Sequence, residues 1–171
     1  MEFTFETQYH AKTMASMARA LRKTVRKKHS RRSHILGWIV VALALLLLIS
    51  QGFSFDFRTI STSIAVLVIL TVFLFEDRIN GYVVHKRLLP GTEKTVTVFS
   101  ESGFISTTDI GKSKWSYDKR ILIAETTDFF VFIFSASHPQ LYDKPNMQGG
   151  TVEDFRRFIE TATKKQVQSI V

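Results

Sequence analysis

The chain has 171 residues, no cysteine and a formal net charge of +8 at neutral pH. Without cysteine it holds no disulfide, no thiolate nucleophile, no iron–sulfur cluster and no cysteine-based zinc site. The charge is uneven: residues 1–34 carry nine Lys/Arg against Glu2 and Glu6, residues 35–75 hold only Asp56 and Arg58, and residues 76–171 have thirteen basic and twelve acidic groups.

In chain order, residues 1–7 contain "EFTFET", in which Phe3 and Phe5 alternate with polar neighbours. That period of two predicts a half-buried strand, and a lone strand must find partners elsewhere. We therefore expect it to join strands from the far end of the chain. Residues 8–34 predict a basic amphipathic helix beside a membrane. On a helical wheel, Met14, Met17, Ala18, Leu21 and Val25 share one side, opposite Lys12, Arg19, Arg22, Lys23 and Arg26. The apolar stripe is expected to pack on the protein's own folded domain. The charges Arg19, Arg22, Lys23, Arg26, Lys27, Arg31 and Arg32 are the candidates for contact with the anionic inner leaflet. No aromatic interleaves this basic run to stack bases, so nucleic acid is not an expected partner.

Two uncharged stretches follow, 35–55 and 59–75, with lengths of 21 and 17 residues. A bilayer core needs roughly 20 helical residues, within a range of about 17–25, so both are predicted transmembrane helices. The connection at 56–58 is too short for a folded domain, which makes the pair an antiparallel hairpin. Inside lipid the backbone must satisfy itself, so helices are expected despite the β-branched "IAVLVILTVF". A cleavable signal peptide fits poorly, because thirty-four residues precede the first run and "ISQGFSFDF" offers no small-residue cleavage site. The basic flanks predict a multi-pass protein with both termini in the cytoplasm. Neither apolar stretch carries an internal charge to line a pathway. Ser61, Thr62, Ser63 and Thr71 are the polar candidates for helix contacts in a homo-oligomer.

Residues 76–171 predict a β-rich domain ending in a helix. "KTVTVF" (94–99), "FISTT" (104–108), "SKWSY" (113–117), "ILIAET" and "FFVFIF" read as strands, and "TD" (Thr127, Asp128) as a hairpin turn. "FFVFIF" is apolar on both faces and should be the most buried. "SASHPQLYDKPNMQGG" reads as an irregular segment. Thr151 followed by Asp154 resembles a capping box, and Phe155, Phe158, Ile159 and Ala162 recur at helical spacing behind it. The expected fold is thus an α+β membrane protein: a two-helix transmembrane hairpin with a small antiparallel β-sheet domain, pleckstrin-homology-like (PH-like) in outline, closed by a C-terminal helix.

The order "VFSESGFISTTDIGKSKWSYDKRILIAETTDFFVFIF", then a Lys–Pro pair and "EDFRRFIE", resembles the YcxB-like proteins, small bacterial membrane proteins. The N-terminal strand and basic helix placed before a two-helix hairpin are similar too, so the resemblance covers nearly the whole chain. It implies this architecture and a bacterial inner-membrane location, and it implies no catalytic residues. Family members often carry basic residues after that proline; "YDKPNMQGG" has its only lysine before it.

No motif points to catalysis or to a cofactor. The five histidines lack metal-ligand spacing, and there is no phosphate loop, dinucleotide fingerprint or nucleophile elbow. Glu153 and Asp154 belong to a helix first turn, and Glu125 and Asp128 read as solvated hairpin residues. Candidate partner-binding residues are His138, Gln140, Tyr142, Asp143, Lys144 and Asn146 in the irregular segment. Trp115 and Tyr117, on one face of a strand, are further candidates whose alternative is ordinary core. The expected function is non-enzymatic: a membrane-anchored module that binds or regulates a protein partner. An immunity protein that neutralises a toxin and a sensor of anionic lipid are the alternatives.

Overall fold

The computed structural model describes residues 2–50, 56–117 and 121–170. Strand β1 (Phe3–Gln8) opens the chain, followed by helices α1 (Ala11–Lys23), α2 (Lys27–Ser50) and α3 (Phe57–Lys86). Then come β2 (Lys94–Ser100), β3 (Gly103–Thr108), β4 (Gly111–Trp115), β5 (Leu122–Glu125), β6 (Phe129–Ser135), β7 (His138–Asp143) and β8 (Met147–Gln148). Helix α4 (Val152–Thr163) and the short β9 (Gln168–Ser169) end it.

The architecture is α+β, with two sheets where the sequence suggested one. The first has the order β4-β3-β2-β1-β8 and the second β7-β6-β5-β9. All pairings are antiparallel except β5 with β9. The N-terminal strand pairs with β2 across eighty-five intervening residues, from Phe3 opposite Phe99 to Gln8 opposite Lys94.

Alternation along these strands decides what the sandwich encloses. Phe3 and Phe5 of β1, Phe99 of β2 and Phe104 of β3 point inward and meet Phe130 and Phe132 of β6, Tyr142 of β7 and Phe155 of α4. Their rings pack mostly edge to face, as aromatic quadrupoles favour; the Phe5 and Phe155 centroids are 4.7 Å apart. Further along the same inward rows the phenylalanines give way to hydroxyls: Thr7 on β1, Thr95 and Thr97 on β2, and Ser106 on β3, all buried. Thr97 and Ser106 hydrogen-bond each other at 2.9 Å. The interior therefore has an aromatic end and a hydroxyl end.

Helix α4 closes the aromatic end. Its first turn is a true capping box: the Asp154 N–H donates to Thr151 Oγ1 at 3.1 Å, and the Thr151 N–H donates to Asp154 Oδ2 at 3.0 Å. The outer face of the second sheet receives the apolar stripe of α1, with Met14, Met17, Ala20 and Leu21 against Phe129, Val131, Ile133 and Leu141. This is why β6 is buried on both faces.

The basic segment is not one helix. It breaks at Thr24–Arg26, where the Thr24 hydroxyl and N–H both donate back to Ala20 O. Lys27 through His34 then form the first two turns of α2. Helix α3 extends eleven residues past its apolar stretch to Lys86, with a non-helical residue at Phe75. Both α2 and α3 are long and apolar enough to cross a membrane. They touch through Gly37, where any Cβ would strike the Phe73 ring. Where α1 crosses α3, a Cβ on Gly81 would lie 2.4 Å from the Ala15 backbone nitrogen, so only glycine permits that approach. The expected link at 56–58 is observed in part as the start of α3, capped by Asp56 accepting from the Thr59 N–H at 2.9 Å. Residues 51–55, where the first apolar stretch was expected to end, lie outside the described residues.

Candidate functional site

A cleft lies where the sandwich meets the three helices, with a volume of about 920 Å³. Each element contributes one face. Helix α3 supplies Glu76, Asn80 and Val84, with Leu88 beyond its end, at intervals of four residues, which places them in one row. Helix α1 supplies Met14, Met17, Leu21 and Arg22, while Arg26 precedes α2 and His29, Ser30 and Ser33 follow within it. On the sandwich side are Thr95, Ser106 and Thr108 from the hydroxyl end of the interior, Lys112 from β4, and Pro139 and Gln140 from β7. The result is a cleft with an apolar wall, a hydroxyl-lined wall and a basic rim. Among the described residues, Glu76 is its only acidic lining residue.

An ion cluster fixes the helices around this space. Arg22 reaches from α1 to α3, donating to Asp77 Oδ1 at 2.8 Å and Oδ2 at 2.6 Å, with Glu76 at 3.7 Å. That two-pronged geometry suits a guanidinium, and the bonds to Asp77 hold the proton on Arg22 more tightly than usual. His34 of α2 bonds the same Glu76 oxygen, Oε2, at 2.8 Å and stacks on Phe73 at 5.0 Å. Among the basic candidates, Arg22 is thus committed to an internal pair. Lys23 donates to Ile170 O at 3.1 Å, and Arg26 donates to Ala136 O at 3.0 Å. Arg19, Lys27, Arg31 and Arg32 are exposed.

The segment expected to be an irregular recognition loop is mostly ordered strand. Its reason is the apolar pair Leu141 and Tyr142, both buried, which β6 requires as a neighbour. Tyr142 donates its hydroxyl to Gln140 Oε1 at 2.6 Å and is not available at the surface. Lys144 is also withdrawn: its ammonium bonds Glu125 Oε1 at 2.7 Å and the carbonyls of Thr126 and Thr127 at 2.6 and 3.3 Å. Glu125 is consequently no solvated turn residue. It is buried and also receives Arg156 Nε at 2.9 Å and Nη2 at 2.7 Å. Burial alone would push its carboxyl up, but the bonds from Arg156 and Lys144 outweigh that and hold it below the ordinary value.

The remaining candidates divide. His138 and Asn146 are exposed; His138 lies near Ser135 and Ser137, and Asn146 donates to half-buried Asp143 at 2.8 Å. Trp115 stacks on Phe134 at 4.6 Å and packs against the core. Tyr117 is buried, and its hydroxyl donates to Ser100 O and Gly103 O at 2.9 and 3.2 Å. Burial pushes that hydroxyl's titration upward. Both are core.

No family model, no curated protein and no solved structure matches the chain.

Sequence reasoning missed the cleft because its walls come from segments far apart in sequence. Gln140 and several basic residues were singled out, but Lys112 and the hydroxyls Thr95, Ser106 and Thr108 were not. Their one signal was the substitution of threonine and serine at inward positions of "KTVTVF" and "FISTT", where a purely structural strand would carry aliphatics.

Proposed function

We propose that the chain is a membrane-anchored, non-enzymatic binding module of the bacterial inner membrane, of the YcxB-like kind, which engages a protein partner from the cytoplasmic side. The observation that carries this is the pairing of β1 with β2. Those strands flank both apolar helices, so whatever α2 crosses, α3 crosses back. The aliphatic residues of α2 and α3 support insertion: Leu36, Leu46, Leu67 and Leu74 are 64%, 64%, 67% and 79% exposed, a density that water does not tolerate. The basic turns before Ile35 support a cytoplasmic sandwich. Two sheets closed at one end by a terminal helix support the PH-like reading. The clamp of α1 on α3 fixes the sandwich to the anchor, so a ligand in the cleft touches both. His138 and Asn146 mark the exposed surface offered to a partner.

The absence of native cysteine makes the test direct. Single cysteines at Asp56 and Ser137 are treated with a membrane-impermeant maleimide in intact cells. Asp56→Cys labels from outside, and Ser137→Cys labels only after permeabilisation. A short cross-linker on Ser137→Cys or Asn146→Cys then traps one defined protein that Asp56→Cys does not. Reversed labelling removes the topology, and cross-links no more specific than those from Asp56→Cys remove the partner.

A further inference from the structure

The cleft begins at the level where the apolar stretches end. On α2 its lining reaches Ser33, two residues before Ile35, and on α3 it reaches Glu76, immediately after Phe75. Its mouth therefore stands at the membrane surface if the helices span, which is the reading on which this inference rests. The chemistry changes along its walls. Met14, Met17, Leu21, Val84 and Leu88 offer an apolar track, whereas Thr95, Ser106 and Thr108 offer hydroxyls. Arg26 and Lys112 supply positive charge, and among the described residues neither forms an ion pair. Arg26 spends one donor on Ala136 O and keeps the rest.

An occupant must match all of this at once: an apolar part, a hydroxyl-bonding part and negative charge, presented from the bilayer. The volume of about 920 Å³ lies near the top of the range for small ligands, roughly 300–1,000 Å³, which suits a headgroup with the upper part of its acyl chains. We propose that the cleft holds one anionic phospholipid drawn from the adjoining leaflet, its phosphate at Arg26 and Lys112 and its acyl portion on the α1–α3 wall. Occupancy ties the sandwich to the lipid composition around its own anchor. The site differs from an adsorbed basic helix, because it selects for a molecule that fits and not for surface charge alone.

The full-length protein, purified in mild neutral detergent, is analysed by native mass spectrometry with added phosphatidylglycerol or phosphatidylcholine. Wild type binds one phosphatidylglycerol with an affinity about tenfold or more above phosphatidylcholine. Ala18→Trp and Val84→Trp fill the cleft and abolish that binding while melting as wild type does. Arg26→Gln with Lys112→Gln weakens it about tenfold, whereas Lys28→Gln with Arg32→Gln, an equal loss of charge outside the cleft, changes it less than twofold. The proposal is overturned if the filled variants bind as wild type does, if the outer pair costs as much as the cleft pair, or if a stoichiometric protein segment occupies the cleft. A protein that labels with the proposed topology yet binds no lipid refutes the cleft inference alone, while failed labelling refutes the anchor reading first.

Discussion

Replacing Glu125 with alanine removes the hub of the buried ion cluster that joins β5, the segment after β7, and α4. Its side chain is 11% exposed and Lys144's is 10%, whereas Arg156's is 35%. Breaking a buried pair from one side costs about 3–5 kcal/mol, because the abandoned partner stays charged and dry. Two features reduce that here: Lys144 retains the Thr126 and Thr127 carbonyls, and Arg156 can turn toward water. We therefore expect a loss of about 2–3 kcal/mol, at or just below the low end of that range. For a chain of this size that lowers the melting temperature by about 5–10 °C. Thermal unfolding of the detergent-solubilised protein, followed by far-UV circular dichroism, measures it. Pairing Glu125→Met with Lys144→Met should restore most of the loss, since no charge is then stranded. The pH dependence has a definite sign. The folded carboxyl titrates below its ordinary value, so its contribution is fully present above about pH 4.3 and is lost as pH falls toward the folded value. Glu125→Gln should flatten that acid limb. An alanine variant that melts within about 1 °C of wild type would refute the reasoning, because it would mean the cluster is hydrated in solution.

Other perturbations separate the layers of the fold. Phe155→Ala empties the centre of the aromatic core and should cost about 3–5 kcal/mol, read in the same melt. Tyr117→Phe removes a donor shared by two carbonyls and should cost only about 1 kcal/mol, visible as a small shift with unchanged cooperativity. Gly81→Leu drives a side chain into the backbone of α1, so α1 should lift from α3 and trypsin should cut at Arg26 or Lys27 faster than in wild type. An unchanged digestion pattern for that variant would show that the crossing tolerates bulk.

Much of this architecture was legible because it rests on period. Phe3 and Phe5 announced a strand, the uninterrupted "FFVFIF" announced burial on both faces, and Thr151 with Asp154 announced the last helix. Each is a local signal. What stayed hidden depends on distant groups. Nothing in "AET" says that Glu125 is buried, since its partners Lys144 and Arg156 lie nineteen and thirty-one residues away. Likewise "QLYDKPN" looks irregular because its proline and turn residues outweigh two buried apolar side chains in any local count. The break at Thr24–Arg26 has no proline or glycine to mark it; it follows from α1 having to lie on the second sheet while α2 turns away. Of the candidate site, the basic residues were visible, but the cleft was not, because a cavity is a relation between surfaces.

The pairing of β1 with β2 also orders events in time. During synthesis the first strand leaves the ribosome eighty-five residues before its neighbour and must wait unpaired while both apolar helices are made and placed. If the helices span a membrane, as proposed, a chain that left one of them on the wrong side would strand β1 and β2 in different compartments, and the sandwich would lack its central hydrogen bonds. Such a chain would expose a phenylalanine-rich edge to cellular proteases. On that proposal, completion of the sheet is a built-in inspection of the anchor: only molecules whose helices have returned to their starting side can close.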